Sequence, residues 1–275
     1  MAVATLISLR EGLEAALIVG ILLGYLRKIG HPAGRGPVWI GVLAAVVLSI
    51  GVAFIIQTVG LKLEGSAEQL FEGTTMFLAV GVLTWMIFWM RYQARLMRTS
   101  LEQNVQTAIA AGRNRGLAVV AFVAVFREGV ETALFLSAAA FASDDGGTLP
   151  GAVLGLGLAV LIGYLIYATT ARLNVRVFFN LTSVLLLIFA AGLFAHGVHE
   201  FQEAGVFPTL NPQLWNTNHI LDESSTIGEF LKALIGYNGN PSFEEVAAYL
   251  LYWVATLVGV RLWMQGKFGA RLKPV

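Results

Sequence analysis

The stretch SLREGLEAAL, residues 8–17, places three charged side chains inside an apolar run long enough to cross a bilayer. A second stretch, VFREGVETAL at residues 125–134, repeats this arrangement, and REGLEAAL and REGVETAL agree at six of eight positions. A charge at the centre of a membrane span costs at least about 2.5 kcal/mol on insertion scales, so such charges are usually paired or functional. Any account of the fold must therefore explain two charged motifs within apolar segments.

The composition indicates an integral membrane protein. Of 275 residues, 57% are hydrophobic and 13% are charged, whereas a soluble domain carries about 25% charged residues. No basic segment precedes the first apolar run, so we expect no secretory signal peptide. Cysteine is absent, which excludes disulfides, thiolate metal sites and cysteine nucleophiles.

The hydropathy pattern predicts an all-α protein with seven transmembrane helices, because each such helix needs about 20 mostly apolar residues. The predicted spans are Thr5–Leu26, Val38–Val59, Leu70–Met90, Leu117–Ala142, Leu149–Ala171, Phe178–His199 and Val246–Met264.

Loop charges predict the orientation of these spans. Most of the 18 lysines and arginines lie after spans one, three and five and in the C-terminal tail, whereas most loop acids lie in the other loops. Basic residues favour the cytoplasmic side, so we expect the N-terminus outside and the C-terminus inside. Among these charges, Arg95, Arg113, Arg172 and Lys273 are expected on the inner side and Asp144 and Asp145 on the outer side.

The two motifs divide the chain into repeats. Each motif lies in the first span of a three-span block, residues 1–91 and 117–202, and the two blocks enter the membrane from opposite sides. Inverted repeats are typical of transporters, whose sites lie near the midplane between the repeats. Residues 92–116 are predicted to form an amphipathic cytoplasmic connector against anionic headgroups. Residues 203–245 form an extracytoplasmic loop, and residues 246–275 a seventh helix and tail.

The extracytoplasmic loop contains one predicted helix of its own. The segment TIGE, residues 226–229, has capping-box spacing and opens a short amphipathic stretch that ends near Gly236. We expect this helix to lie on the outer surface.

The spacing within each Arg-Glu-x-x-Glu motif favours cation binding. Its two glutamates lie on one helical face, and the arginine is four residues from the second glutamate, a favourable spacing for an ion pair. Both motifs lie several residues inside their spans, so four glutamates and two arginines meet near the midplane with two uncompensated negative charges. Carboxylate oxygens favour hard cations. The candidate metal ligands are Glu11, Glu14, Glu128 and Glu131, and their charge partners are Arg10 and Arg127.

Two other interpretations of the motifs remain open. Each motif can be a buried Arg–Glu pair that locks two helices together, or the same glutamates can form a proton relay. Two inverted copies with two acids per arginine favour a transport site over a structural clamp. Gly12 and Gly129 leave room beside the charges for a neighbouring helix.

Further acids and histidines near the outer ends of spans three and six form a candidate access pathway. Some repeat at helical spacing, so they share helix faces. The alternative is that they are solvated charges or ordinary interface polarity. The candidate residues are Glu64, Glu68, Glu72, His196, His199, Glu200, Glu203, Asp222 and Glu223.

With two RExxE motifs in seven spans, the chain resembles the oxidase-dependent iron permeases, which comprise the fungal high-affinity and bacterial EfeU-type permeases. The matching segments are REGLE (10–14), REGVE (127–131), HGVHEFQEAG (196–205) and WNTNHILDESS (215–225). The last two resemble the bacterial branch. The outer-loop Asp-Ala-Ser-Glu motif of the fungal branch has only a loose counterpart in LDESS.

The resemblance implies a bacterial inner-membrane permease rather than an enzyme. Its RExxE glutamates would handle iron, with the arginines as their partners, and iron would be substrate rather than a permanently bound cofactor. The implied partners are membrane lipids, iron ions and a separate extracytoplasmic protein that oxidises or delivers iron. Ferric iron after coupled oxidation and ferrous iron both fit.

Two other functions are weighed against iron import. A transporter of another cation, such as manganese or lead, would use the same carboxylates. A membrane redox protein would need histidines paired across a bundle to hold haem, and the four histidines are not placed for this. No nucleotide-binding loop is present and no nucleic-acid partner is expected.

Overall fold

A computed structural model describes residues 1–93, 97–110, 114–142, 146–168, 175–223 and 225–271. All regular secondary structure within these ranges is helical. Six of the loop charges that predict the orientation lie outside the described residues: Arg95, Arg113, Asp144, Asp145, Arg172 and Lys273.

Each predicted span corresponds to one long helix, and the connections of the described chain contain two shorter α-helices and a 3-10 helix, Pro32–Gly34. The α-helices of the described chain are α1 (Ala2–Lys28), α2 (Arg35–Gly60), α3 (Ser66–Gln93), α4 (Met97–Ala110), α5 (Asn114–Phe141), α6 (Thr148–Ala168), α7 (Val175–Glu203), α8 (Thr226–Ile235) and α9 (Phe243–Arg271).

Five segments of these helices are long and apolar enough to cross a membrane, which agrees with an integral membrane protein. They are Pro32–Gly60, Ser66–Trp89, Thr148–Leu165, Val177–Glu203 and Phe243–Leu262. The remaining two long helices, α1 and α5, have 27 and 28 residues and carry the charged motifs. At 1.5 Å per residue each is about 40 Å long, more than the thickness of a bilayer core.

The helix packing places the two motif helices at the centre. Helix α1 packs on α5 and α6, α2 packs on α5, and α3 packs on α7. Helix α9 packs on α7 and also reaches α3, where the Tyr252 and Thr84 hydroxyls lie 2.9 Å apart. Ile7, Phe135 and Leu186 belong to one buried apolar cluster, which joins α1, α5 and α7. In contrast, α2, α6 and α9 present many exposed apolar side chains, such as Phe54 and Val160, as expected of surfaces that face lipid.

Helix α4 packs against the protein, which the sequence alone does not predict. Leu101 and Val105 are buried in a cluster with Tyr25 and Leu117, and the Gln106 side chain donates a hydrogen bond to the Tyr25 hydroxyl. The apolar face of this connector therefore packs on α1 and α5.

Helix α8 ends where the sequence predicts but starts with a different cap. The backbone N–H of Gly228 donates to the Ser225 hydroxyl at 3.0 Å, so Ser225 is the N-cap, one residue before the predicted Thr226. Gly236 ends the helix with φ of 70°, a left-handed conformation that glycine adopts without strain. Its Cα also lies so close to Gly192 of α7 that a side chain at either glycine would collide.

Candidate functional site

Helices α1 and α5 bring the two motifs together inside the protein. Glu11 and Glu128 are 1% and 2% exposed, and Arg10 is completely buried. One carboxylate oxygen from each of Glu11, Glu128 and Glu131 lies within 4.8 Å of the other two. The fourth motif glutamate, Glu14, is also buried, one helical turn from Glu11.

The size of this carboxylate cluster suits a metal ion. Carboxylate oxygens bind first-row divalent ions at about 2.0–2.2 Å, so two oxygens on opposite sides of an ion lie roughly 4 Å apart. Each of the four motif glutamates also has at least one buried oxygen with no hydrogen-bond partner among the described residues. Buried carboxylate oxygens without a donor are costly, and a cation between them would offset this cost. The arrangement can therefore act as a set of oxygen ligands.

Arg10 pairs with both glutamates of its own motif. Its guanidinium contacts the Glu11 carboxylate through Nη1, and its Nη2 lies 3.1 Å from an oxygen of Glu14, the pair predicted from the four-residue spacing. Nη1 also lies 3.3 Å from the sulfur of Met86 on α3. The Phe179 ring of α7 lies with its centroid 6.0 Å from the guanidinium carbon.

Arg127 makes the corresponding contacts in the second motif. Its Nε donates to Glu131 at 3.0 Å and lies 3.4 Å from Glu128. The Trp89 ring of α3 stacks on its guanidinium, with the ring centroid 4.6 Å from the central carbon. The Arg127 side chain is 32% exposed, against 1% for Arg10, so the second motif lies nearer to the protein surface.

The glycine within each motif allows another helix to approach the charges. A methyl group at Gly12 would lie 2.7 Å from the Ala159 side chain of α6, and one at Gly129 would collide with Ser49 of α2. Contacts this short are not tolerated, so both positions require glycine for the observed helix packing. The expected role of Gly12 and Gly129 thus agrees with the geometry.

The C-terminal end of α7 carries the predicted histidine and acid pairs. His196 lies 3.5 Å from Glu200, and the Nε2 atom of His199 lies 3.2 Å from Glu203. The His199 Nδ1 atom lies 3.0 Å from Glu245 of α9. The Nδ1 contact therefore joins the ends of α7 and α9, whereas the Nε2 contact lies within α7.

Glu245 is a residue that the sequence analysis missed. Its backbone N–H donates to the Ser242 hydroxyl, and its carboxylate accepts from the Ser242 backbone N–H, which together form a capping box at the start of α9. The same carboxylate accepts a hydrogen bond from the Asn238 side chain. The spacing in SFEE, residues 242–245, is the sequence signal for the cap, but it does not reveal the contact with His199.

A cavity of about 340 Å³ lies at this end of the molecule. It is lined by both histidines, Glu223, Lys232 and Glu245, and by the first residues of α1. Ala4 and Ala139 at its wall lie seven and eight residues from Glu11 and Glu131 along their helices, which is about 10–12 Å. The fully buried side chains Ile7, Phe135 and Leu186 lie in this interval of the packed core.

The remaining candidate access residues lie at the same end of the molecule as the two histidines but not in the carboxylate cluster. Glu64 is exposed, and Glu68 and Glu72 are partly buried at the start of α3. Gln69 donates to Glu203 at 3.1 Å, which ties this end of α3 to α7. Asp222 is exposed, whereas the Glu223 carboxylate accepts the backbone N–H of Gly239 within the segment between α7 and α9.

Known proteins similar to this chain give a consistent result. The model of the iron permease FTR1 family matches residues 1–269. The chain belongs to the iron permease FTR1 family. A protein named ferrous iron permease EfeU from Shigella sonnei is 41% identical over 266 residues, which cover 95% of this chain and 96% of the relative. The proteins of that name from Escherichia coli O6:K15:H31 and Yersinia pestis are 42% and 39% identical over 262 residues, covering 94% of this chain and 94% and 92% of those proteins.

No solved structure matches the chain. The relatives are bacterial and are named permeases, so this family consists of transporters rather than enzymes. The family match spans both RExxE motifs, the outer histidines and the start of α9.

Proposed function

We propose that this protein imports iron across the bacterial inner membrane through the buried carboxylate cluster. The observation that carries the proposal is the convergence of Glu11, Glu128 and Glu131, whose oxygens lie within 4.8 Å of one another although they come from two motifs far apart in sequence. The two arginines reduce repulsion between the carboxylates and leave the site with a net negative charge. A structural clamp would not need two acids for each arginine, each with an oxygen that has no hydrogen-bond partner among the residues that the structure describes.

Ferrous iron is the form that we propose as substrate. The relatives carry the name ferrous iron permease, and the outer cavity supplies imidazole nitrogens, which suit Fe²⁺ as well as carboxylates do. The alternative substrate is ferric iron, delivered after oxidation by a separate extracytoplasmic protein. An uptake assay with each form of iron distinguishes the two.

The proposed architecture is seven spans, with the N-terminus outside and two inverted repeats, α1–α3 and α5–α7. The helix contacts support this arrangement, because α1 packs on α6 as α5 packs on α2. If the two repeats are exchanged, α1 takes the place of α5 and α6 takes the place of α2, so one of these contacts becomes the other. The motif glycines follow the same rule, since Gly12 contacts α6 and Gly129 contacts α2.

The proposed route starts in the outer cavity. Iron would first meet His196, His199 and Glu245, near the acids of α3, and would then pass to the motif glutamates. The packed apolar layer around Ile7 and Phe135 lies between the two sites, so passage requires the repeats to move relative to each other.

Radioactive iron uptake in cells that lack their own iron importers tests the proposed function. The compared proteins are the wild type, Glu14→Gln, Glu131→Gln and, as a matched control, Glu102→Gln on the cytoplasmic helix α4. Ferrous and ferric iron are supplied separately, and the amount of protein in the membrane is measured for each variant.

We expect ferrous uptake by the wild type and the control, and uptake at background in the two motif variants. Normal uptake in both motif variants would overturn the proposal that these glutamates carry the ion. Uptake of ferric iron alone would overturn the choice of ferrous iron.

A further inference from the structure

One face of helix α3 contacts both motif arginines. Met86 and Trp89 are three residues apart and therefore lie on the same side of the helix. The Met86 sulfur is 3.3 Å from Nη1 of Arg10, and the Trp89 ring centroid is 4.6 Å from the guanidinium carbon of Arg127. Met86 is completely buried. A single uncharged helix face thus reaches the positive groups of both repeats.

Each guanidinium lies between two kinds of partner. On one side are the motif carboxylates, at 3.0–3.4 Å from Arg127, and on the other is an uncharged, polarisable group. A tryptophan face attracts a cation through its quadrupole, and a thioether sulfur is a weak hydrogen-bond acceptor. Nη2 of Arg127 is buried and has no hydrogen-bond partner in the described part of the chain. The hydrogen bonds of this arginine to the carboxylates are therefore incomplete.

We propose that Met86 and Trp89 are positioning residues that hold the two arginines when iron occupies the carboxylate cluster. This inference rests on the proposed function. An ion bound by Glu128 and Glu131 repels a guanidinium a few ångströms away, and this repulsion is strong where water is excluded. The arginine then needs another favourable contact within reach, and the Trp89 ring supplies one without offering the ion a competing charge.

The inference predicts a change in apparent affinity. Without the ring, Arg127 would stay on the carboxylates and compete with the ion. Trp89→Leu should raise the KM for ferrous uptake about tenfold, the scale of a partly buried cation–π contact, with a smaller change in maximal rate. Trp89→Phe keeps an aromatic face and should retain most of the affinity. Met86→Leu, which keeps volume but removes the sulfur, should raise the KM by a smaller factor.

The experiment measures KM and maximal rate of ferrous uptake for wild type, Trp89→Leu, Trp89→Phe and Met86→Leu. The matched control is Trp39→Leu, at an exposed tryptophan of α2, for which no change is expected. A raised KM in Trp89→Leu together with recovery in Trp89→Phe supports the inference. If Trp89→Leu does not reach the membrane, Met86→Leu becomes the test. A raised KM in Met86→Leu then supports the inference, and an unchanged KM contradicts it.

The inference is overturned if Trp89→Leu leaves the KM unchanged, or if Trp89→Leu and Trp89→Phe lose maximal rate equally without a change in KM. Failure of the proposed function gives a different pattern, because Glu14→Gln and Glu131→Gln would then transport iron normally. The third pattern is a wild type that transports iron, glutamate variants that do not, and a Trp89→Leu variant with an unchanged KM. This pattern contradicts only the proposed role of Met86 and Trp89.

Discussion

At the scale of single residues, His199 lines the cavity and contacts side chains of both α7 and α9. Its Nδ1 contacts Glu245 at 3.0 Å and its Nε2 contacts Glu203 at 3.2 Å. A carboxylate accepts hydrogen bonds when ionised, so both contacts are satisfied when both ring nitrogens donate. An arriving metal ion can replace such a proton, because imidazole nitrogen and carboxylate oxygen are both metal ligands.

We predict that Glu245→Gln lowers the apparent affinity for iron. The substitution removes the negative charge beside His199, and we expect the KM for ferrous uptake to rise about tenfold, which corresponds to the loss of about 1.5 kcal/mol from one charge-assisted hydrogen bond. Kinetic uptake measurements at low iron concentration check this. Ser242→Ala is the matched control, because it weakens the same capping box without touching His199. An equal rise in KM in both variants would show that only the helix cap matters.

The ion pairs within the motifs could be predicted from the sequence, whereas the contacts of His199 could be predicted only in part. The spacing of Arg10 and Glu14 predicts an ion pair, and the pair forms because four residues make about one helical turn. Glu245 lies 46 residues from His199, so only the packing of α9 on α7 brings them together.

At the scale of helices, the motif glycines allow neighbouring helices to pack closely against the charged motifs. Gly129 lies against Ser49 of α2, and Gly12 against Ala159 of α6. In membranes, helix association depends on such close packing because lipid offers no hydrophobic driving force between helices.

We predict that Gly129→Ala destabilises the protein by about 1–3 kcal/mol, the usual cost of inserting a methyl group into a packed interior. Thermal unfolding of purified protein in detergent measures this. Gly20→Ala is the control, because nothing lies within 4 Å of a side chain at Gly20. The double variant Gly129→Ala/Ser49→Gly should lose less than the sum of the two single losses. If the stability loss of the double variant equals the sum of the two single losses, the two positions do not interact.

The long helices could be predicted from the sequence, because runs of about 20 apolar residues leave few alternatives. The partner of α4 could not be predicted. An amphipathic pattern shows that one face of α4 is apolar. Leu101 and Val105 on that face could contact either lipid or α1 and α5, and the pattern does not distinguish these partners.

At the scale of the whole molecule, the proposed orientation places the outer cavity and the loop around α8 on one side of the membrane and α4 on the other. The absence of cysteine makes this easy to test, because one introduced cysteine is the only thiol in the chain.

We predict that Asn216→Cys reacts with a membrane-impermeant maleimide in intact spheroplasts, whereas Gln103→Cys reacts only after the membrane is permeabilised. Both positions are exposed in the structure, so access to the reagent depends on the side of the membrane. The reverse pattern of labelling would contradict the orientation expected from the basic loops.

The sequence could not show the separation between the outer cavity and the carboxylate cluster. Ile7, Phe135 and Leu186 come from three helices, and each looks like an ordinary apolar residue of a membrane span. The barrier that they form depends on how α1, α5 and α7 pack, which a one-dimensional pattern does not contain.

The central claim is that the glutamates of both motifs form one transport site for iron. Ferrous iron uptake into vesicles that contain only the purified protein tests it most directly, with wild type compared with Glu11→Gln/Glu128→Gln at matched protein content. We expect uptake by the wild type and, in the double variant, uptake no greater than in protein-free vesicles, although the variant elutes and unfolds as the wild type does. Undiminished uptake in the double variant would contradict the claim and would make the motifs a structural clamp.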